Sequence, residues 1–213
     1  PLLGETLADY NNIKIINQDV LKVDLAELIA QEFSGMEVTI CANLPYYITS
    51  PIIMGILEAK LPIRSLTVMV QKEAAQRLCA QAGSREVGAV TIAVRYYSQP
   101  EILFPVSRGS FMPAPEVDSC VIRLNILRQP AVSVEEEAMF FRVVKGAFAQ
   151  RRKTLSNTLS FAMGVSKGEL AELIRQAGLP SAAKAEELFM EQFGLLADGF
   201  TRFFREKKNN ATK

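Results

Sequence analysis

The first 125 residues alternate between strand-like and helical hydrophobic patterns, and this alternation limits the folds open to the chain more than any other feature. Short apolar runs predict three strands, at Ile13–Ile16, Val38–Ala42 and Leu66–Val70. Apolar residues spaced three and four apart predict helices between and after these strands, at Asp24–Phe33, Pro51–Ala59, Gln71–Gln81 and Val87–Tyr97. Strands and helices in this order predict an α/β fold with a mostly parallel sheet covered on both faces.

After Tyr97 the chain carries a strand pair and then only helical patterns. Two apolar runs flank the proline-rich segment Ser107–Asp118 and predict paired strands, at Ile102–Val106 and Cys120–Ile126. One long helix is predicted over Met139–Phe161 from an apolar stripe, which consists of Phe140, Val144, Phe148, Leu155 and Leu159. A capping box from Ser166 to Glu169 predicts the start of another helix, which Gly178 ends. A last helix carries Phe193, Leu196, Phe200 and Phe203.

The change of pattern near residue 130 predicts two domains. Residues 1–130 are expected to form an α/β domain, and residues 131–213 a small all-helical domain. The chain starts without Met inside a helical pattern, has no GxGxxG loop, and supplies fewer strands than a doubly wound sheet needs. We therefore expect the first strands of the sheet, together with a glycine-rich cofactor loop, to lie upstream of Pro1.

The composition excludes several classes of active site. The chain contains no histidine, which rules out Ser–His triads, histidine-ligated zinc and a histidine base. The three cysteines lie far apart and form no CxxC, which favours reduced, buried thiols in a cytoplasmic protein without a metal site. No apolar run approaches the roughly 20 residues of a membrane span, so we expect no membrane association.

Positive charge is concentrated in the last third of the chain. Residues 1–130 carry 11 Lys and Arg against 13 Asp and Glu, whereas residues 131–213 carry 13 against 10. On the predicted helix Met139–Phe161, four cations fall on one polar face: Arg142, Lys145, Arg152 and Lys153. Arg151 falls on the apolar side, where its stem would pack between the domains. The polar face is either a solvated surface or a stripe that binds phosphates.

Polar groups follow the predicted strands at the edge where α/β sheets bind ligands. Asn43-Leu44-Pro45-Tyr46 places an amide oxygen, backbone carbonyls next to a proline and an aromatic ring at the end of Val38–Ala42. Acceptors aimed at the hydrogens of a base amine would localise its lone pair, while the ring would hold the base flat. A proline turn with core tyrosines is the structural alternative. Asp19 either binds a ribose or adenine amine or caps the turn that follows it.

Four ordered motifs resemble one enzyme family. They are Asn43–Pro51 (NLPYYITSP), Gln71-Lys72-Glu73 with Arg77-Leu78, Phe111–Leu124 (FMPAPEVDSCVIRL) and Phe148–Leu159 (FAQRRKTLSNTL). Together they resemble the ribosomal RNA adenine N6-dimethyltransferases, most closely the bacterial small-subunit (16S) type known as the KsgA or RsmA family. The resemblance runs from Pro1 to about Phe204.

The resemblance implies a Rossmann-like methyltransferase domain, here partial and over residues 1–130, followed by a helical RNA-binding domain over residues 131–213. It implies S-adenosylmethionine as the cofactor, with Asp19 and Asn43 as cofactor contacts. The implied catalytic residues are Asn43, Leu44, Pro45, Tyr46 and Phe111, with Phe111 closing over the target adenine opposite Tyr46. Without the upstream loop, we expect the chain to be incomplete for cofactor binding.

The implied reaction is the dimethylation of the N6 amines of two adjacent adenines in a small-subunit rRNA hairpin, linked to ribosome assembly. The expected partners are small-subunit rRNA and the 30S subunit, bound by a monomer in the cytoplasm. Two alternatives within RNA binding are a large-subunit adenine methyltransferase of the macrolide-resistance type and an rRNA-docking fragment without catalysis. An amino-methyltransferase acting on DNA or on protein glutamine is a third, which the basic helical region and the FMPAPEVDS segment disfavour.

Overall fold

The structure is a computed structural model that describes residues 2–150 and 152–211. In these two stretches the chain forms four strands: β1 (Val38–Asn43), β2 (Ile63–Gln71), β3 (Ser98–Val106) and β4 (Ser119–Ile126). The same two stretches contain nine α-helices: α1 (Leu2–Thr6), α2 (Leu25–Glu32), α3 (Thr49–Glu58), α4 (Lys72–Leu78), α5 (Ala89–Tyr97), α6 (Glu137–Ala147), α7 (Leu155–Met163), α8 (Lys167–Gln176) and α9 (Met190–Ala211).

The four strands form one mixed sheet in the order β1-β2-β4-β3. β1 and β2 are parallel, whereas β4 runs antiparallel to both β2 and β3. The α/β fold predicted from the sequence is confirmed, with the predicted strand pair at one edge. The sequence predicted a mostly parallel sheet, but only β1 and β2 form a parallel pair. The reason is that one of the three strands expected to run in parallel is not a strand.

That strand was predicted at Ile13–Ile16, and the prediction is wrong. These residues lie in irregular structure, and their three isoleucines are 40–48% exposed. A strand requires a neighbour that pairs with its backbone N–H and C=O groups, and none of the four strands of the described sheet pairs with this segment. The apolar run alone therefore does not produce a strand.

The central strands β2 and β4 carry the core of the α/β region. Along β2 the side chains of Leu66, Val68 and Val70 alternate into the interior and are essentially fully buried. From β4, Ile122 and Leu124 meet them in the neighbouring strand. α3 and α5 pack together beside this sheet. The carboxyl ends of β1 and β2 are thereby held at one edge of a rigid layer.

The helices after residue 136 pack as a small bundle in which α6 contacts α7 and α9, and α8 contacts α7 and α9. The predicted capping box is confirmed: Ser166 N–H donates to Glu169 Oε2 at 2.8 Å, and Glu169 N–H donates to Ser166 Oγ at 3.3 Å. Gly178, at φ +69°, follows this helix as predicted. The interior of the bundle is aromatic and aliphatic, with Phe193 and Phe200 fully buried.

The single helix predicted over Met139–Phe161 is wrong, because the chain folds it as two helices, α6 and α7, joined by a turn. The turn lets α7 fold back onto α6 so closely that a Cβ on Gly146 would lie 2.9 Å from Cβ of Ala162. Leu155 and Leu159 are fully buried in this contact. The apolar residues of the predicted stripe are thus packed in the interior, but two helices that face each other carry them rather than one.

The sheet and the helical bundle share one continuous hydrophobic core. Where they meet, the Glu137 carboxylate accepts hydrogen bonds from Lys60 Nζ at 2.8 Å and from Tyr97 Oη at 2.8 Å. Gly83 N–H also donates to the Glu186 carbonyl at 2.8 Å. The division into residues 1–130 and 131–213 stays a prediction.

Candidate active site

An open cleft of about 330 Å³ lies at the carboxyl end of β1. Its lining consists of Asn43, Leu44, Pro45, Tyr46, Phe111, Pro113 and Pro115. The fold thus brings together all five residues that the sequence analysis assigned to catalysis. Among the described residues of this lining, none carries a carboxylate or an amine, so the surface presents amide, carbonyl and aromatic groups.

One wall of the cleft is the turn that follows β1. Asn43 is the last residue of β1 and is exposed, while the next side chain, Leu44, is buried and anchors the turn in the core. The Pro45 carbonyl accepts hydrogen bonds from Ile48 N–H at 3.2 Å and from Thr49 Oγ1 at 3.1 Å. These two bonds start α3 and fix the backbone of the motif.

Tyr46 joins this wall to the sheet. Its hydroxyl lies 2.7 Å from Oγ of Ser119, the first residue of β4, and the two groups share a hydrogen bond. Ser119 is fully buried, whereas Tyr46 is half-buried with its ring on the cleft. Sequence reasoning missed Ser119, because the two residues are 73 positions apart and no local pattern links them.

The opposite wall is the segment between β3 and β4, which carries Phe111. Arg108 ties this segment together: its N–H donates to Asp118 Oδ1 at 3.0 Å, and its Nη1 donates to the Glu116 carbonyl at 3.2 Å. Phe111 N–H in turn donates to the Arg108 carbonyl at 3.3 Å. Phe111 is half-buried next to Pro113 and Pro115, so its ring sits on a stiff support.

A second cleft, of about 490 Å³, lies at the carboxyl end of β2 and shares this segment. Its lining consists of Gln71, Lys72, Glu73, Gln76, Arg108, Glu116, Val117 and Asp118. Six of these eight residues belong to the family motifs quoted from the sequence, without a role of their own: Gln71, Lys72, Glu73, Glu116, Val117 and Asp118.

Asp19 is not among the residues that line the first cleft. Its Oδ1 accepts the Leu21 N–H at 3.1 Å and so caps the short helical turn Val20–Lys22, while Lys22 Nζ approaches Oδ2 to 4.0 Å. The capping role that the sequence left open is therefore present. Because the cap uses one oxygen of a half-exposed carboxylate, the other oxygen can still accept a hydrogen bond from an adenine amine. Asp19 and Asn43 thus both keep a side-chain oxygen available for a ligand, and their assignment as contacts of S-adenosylmethionine stays a prediction.

The four cations predicted for RNA binding do not share one helix face. Arg142 lies on α6 with its guanidinium 5.5 Å from the ring centre of Phe204, and Lys145 is exposed on the same helix. Arg152 and Lys153 are exposed in the turn between α6 and α7. The prediction that these four side chains share one face of a single helix is wrong, because the helix ends at Ala147.

Arg151 lies outside the described residues, and its packing between the domains stays a prediction.

Residues 2–150 and 152–211 contain neither a candidate metal site nor a helix able to span a membrane. No group of three or more Asp, Glu, Cys or His side chains in that part of the chain could hold a metal ion. None of its helices combines the length and the apolar character that crossing a membrane demands.

The chain matches the family model described as ribosomal RNA adenine dimethylase over residues 1–199. It is 48% identical to "Ribosomal RNA small subunit methyltransferase A" of Alkaliphilus oremlandii, over 95% of this chain and 71% of that protein. It is 47% identical to the protein of the same name from Geobacillus thermodenitrificans, over 96% of this chain and 71% of that protein.

Two solved structures share the fold at low sequence identity. A dimethyladenosine transferase from Plasmodium falciparum matches with a TM-score of 0.71 and 21% identity, over 92% of this chain and 75% of that one. The 23S rRNA methyltransferase ErmE matches with a TM-score of 0.65 and 23% identity, over 94% of this chain and 77% of that one. These matches confirm the Rossmann-like methyltransferase fold, and the family match and the curated relatives go further: the chain belongs to the ribosomal RNA adenine dimethylase family.

Proposed function

We propose that this protein uses S-adenosylmethionine to dimethylate the N6 amines of two adjacent adenines in a hairpin of small-subunit rRNA, as a step linked to ribosome assembly. The observation that carries the proposal is the match to curated relatives named as small-subunit methyltransferases, at 42–48% identity over nearly the whole chain. The lining of the first cleft supports it, because an aromatic slot with amide and carbonyl acceptors suits an adenine.

The acceptors in this proposal are the Asn43 amide oxygen and the Leu44 backbone carbonyl. An adenine amine is a poor nucleophile because its lone pair is delocalised into the ring. Two acceptors on its hydrogens pyramidalise the nitrogen and localise that lone pair, an effect concentrated in the transition state. The Pro45 carbonyl is the less suitable acceptor, since it already accepts two hydrogen bonds in the turn.

Tyr46 and Phe111 hold the adenine between them. Stacking on an aromatic ring contributes about 1–3 kcal/mol per base, which helps to offset the few kcal/mol needed to unstack the target nucleotide. Both rings are carried on restrained backbone, so little conformational entropy is lost when the base enters.

S-adenosylmethionine, when bound, would supply the methyl group: the S–C bond of its sulfonium would break as the N–C bond forms, and S-adenosylhomocysteine would leave. Asp19 would accept the hydrogen bond of the cofactor's adenine amine, and Asn43 would lie between cofactor and target. Because no described residue of the first cleft's lining is a strong base, the proton released by the methylated amine passes to water. An amine that carries one methyl group keeps one hydrogen for an acceptor, which allows the second transfer in the same slot.

The basic residues Arg142, Lys145, Arg152 and Lys153 are proposed to bind rRNA phosphates. In this division of labour, residues 1–130 perform the chemistry and residues 131–213 position the RNA. Phosphate contacts fix position without reading sequence, so specificity would come from the fold of the hairpin and the cleft. We propose that the protein acts as a cytoplasmic monomer on the 30S subunit.

The test is methyl transfer to ribosomal subunits from cells that lack the small-subunit modification. The full protein is incubated with labelled S-adenosylmethionine and with 30S or 50S subunits, and the modified nucleotides are mapped by mass spectrometry of nuclease fragments. We expect dimethyladenosine at two neighbouring positions of one 30S hairpin. Label on the 50S subunit would favour the large-subunit alternative, and tight binding of 30S without label would favour the docking alternative.

A further inference from the structure

Two apolar side chains stand almost fully exposed beside the first cleft. Tyr47 is 85% exposed and Met112 is 99% exposed, the largest value among the exposed large hydrophobic side chains of the described residues. Each is the immediate chain neighbour of an aromatic residue in the lining: Tyr47 follows Tyr46 on one wall, and Met112 follows Phe111 on the other. The rim pair, as we call Tyr47 and Met112, therefore adjoins the cleft along the chain, with one member next to each wall.

The exposure of the rim pair is imposed by backbone that the structure restrains. Tyr47 lies in the helical turn Tyr46–Ile48, which the two hydrogen bonds to the Pro45 carbonyl close. Met112 lies between Phe111 and Pro113, within the segment that Arg108 ties to Glu116 and Asp118. Because their backbone is already restrained, little further conformational entropy is lost when a partner packs against these two side chains.

We propose that Tyr47 and Met112 contact the two nucleotides that flank the target adenine, one on each side. The proposal rests on the proposed function, because it requires an adenine to enter the cleft. A base that leaves its stack exposes one face of each neighbouring base. An aromatic ring or an apolar wedge at the mouth can cover these faces. The continuity of the rim pair with the lining of the cleft selects RNA over a protein partner.

The chemistry of the rim pair separates it from the basic residues. A phenol and a thioether carry no charge, so their contacts with bases release no counterions and should add nothing to the salt dependence of binding. The phosphate contacts proposed for the helical region behave in the opposite way. Salt dependence therefore distinguishes the two kinds of contact.

The test uses the full protein with Tyr47→Ala and Met112→Ala. Phe161→Ala is the matched control, since Phe161 is an aromatic side chain of α7 that is also 85% exposed but is not in the lining of the cleft. Tyr47→Phe keeps the ring and should restore most of the loss. The measurements are kcat/KM on unmodified 30S subunits, the fluorescence of 2-aminopurine placed next to the target adenine in the hairpin, and melting temperature.

We expect kcat/KM to fall about 5- to 100-fold for Tyr47→Ala and by less for Met112→Ala. We also expect the 2-aminopurine signal to lose its response to protein, with melting temperature and salt slope unchanged. Wild-type kcat/KM and fluorescence in both alanine variants would overturn the inference while leaving the proposed function intact. A lower melting temperature, a changed salt slope or an equal effect of Phe161→Ala would overturn it as well. Failure of the wild-type protein to methylate 30S would instead refute the proposed function.

Discussion

The hydroxyl oxygens of Tyr46 and Ser119 lie 2.7 Å apart and connect the turn after β1 to the start of β4. Ser119 is fully buried at a central strand of the sheet. The ring of Tyr46 is thereby oriented by a buried residue of a central strand, although it faces an open cleft.

Removing either hydroxyl should loosen the ring of Tyr46. We expect Ser119→Ala and Tyr46→Phe each to reduce kcat for methyl transfer several-fold and to lower the free energy of unfolding by about 1 kcal/mol. Because both variants break the same bond, the double variant should cost little more than one of them. Measurements of kcat, KM and urea unfolding on wild type and all three variants give the coupling energy between the two hydroxyls.

The exposed Ser133 provides a control for this cycle, since Ser133→Ala removes a hydroxyl far along the chain from the cleft. Additive losses in the double variant would show that Tyr46 and Ser119 act independently. Thr in place of Ser119 keeps a hydroxyl and should recover part of the activity.

Asn43→Ala should nearly abolish methylation. If the amide oxygen accepts a hydrogen bond from the target amine, its removal costs about 2.7–4 kcal/mol in the transition state, or roughly 10²–10³ in kcat. RNA binding should stay near the wild-type level, because Asn43 contributes one polar group to a site that stacking and phosphate contacts hold. Rapid-quench methyl transfer and filter binding measure the two quantities.

Asn12→Ala, in an exposed turn near the start of the chain, is the matched control. Unchanged kcat in Asn43→Ala would refute the catalytic assignment of the Asn43–Tyr46 motif.

Arg152→Ala combined with Lys153→Ala should weaken 30S binding and flatten its salt dependence by about one to two units of log–log slope. Both side chains are exposed in the turn between α6 and α7, so the melting temperature should not change. Binding is measured at several salt concentrations, with melting curves alongside.

The control for this pair removes the same charge elsewhere, through Lys167→Ala with Lys184→Ala, both exposed. An equal change of slope in the control would show that net charge, rather than the turn, sets the salt dependence.

Glu137 should make stability depend on pH in the acid range. Burial by itself raises the pKa of this carboxyl, but hydrogen bonds from Lys60 and Tyr97 outweigh it and lower the pKa below the ordinary value. Because the folded pKa lies below the unfolded value of about 4.3, the stabilisation is present above that pH and is lost as the pH falls through the folded pKa. Glu137→Gln should therefore be less stable than wild type by about 1 kcal/mol at pH 7.

Urea unfolding of both proteins between pH 3 and pH 7 checks this expectation, with Glu136→Gln at the exposed neighbouring position as the control. The difference between wild type and Glu137→Gln should shrink as the pH falls below about 4. A difference that stays constant with pH would mean that the carboxylate charge is not what stabilises the junction of sheet and bundle.

Features that depend only on neighbouring residues could be predicted from the amino-acid sequence. The capping box of Ser166 and Glu169 appears in the structure as predicted, because both partners lie within one helical turn. β1 and β2 were also predicted, since both are short apolar runs rich in β-branched residues, which favour strands locally. The Asn43–Tyr46 motif could be placed at a strand end for the same local reason.

Which of the local patterns form regular structure, and which residues they contact, depends on long-range contacts in the folded chain. Ile13–Ile16 has a strand-like sequence but no paired strand in the described sheet, and the stripe from Phe140 to Leu159 is divided between two helices by a turn. The bond between Tyr46 and Ser119 and the approach of Phe111 to the same cleft join residues more than 60 positions apart. The pattern within a segment sets what that segment can bury, but pairing and contact depend on partners that distant parts of the chain supply.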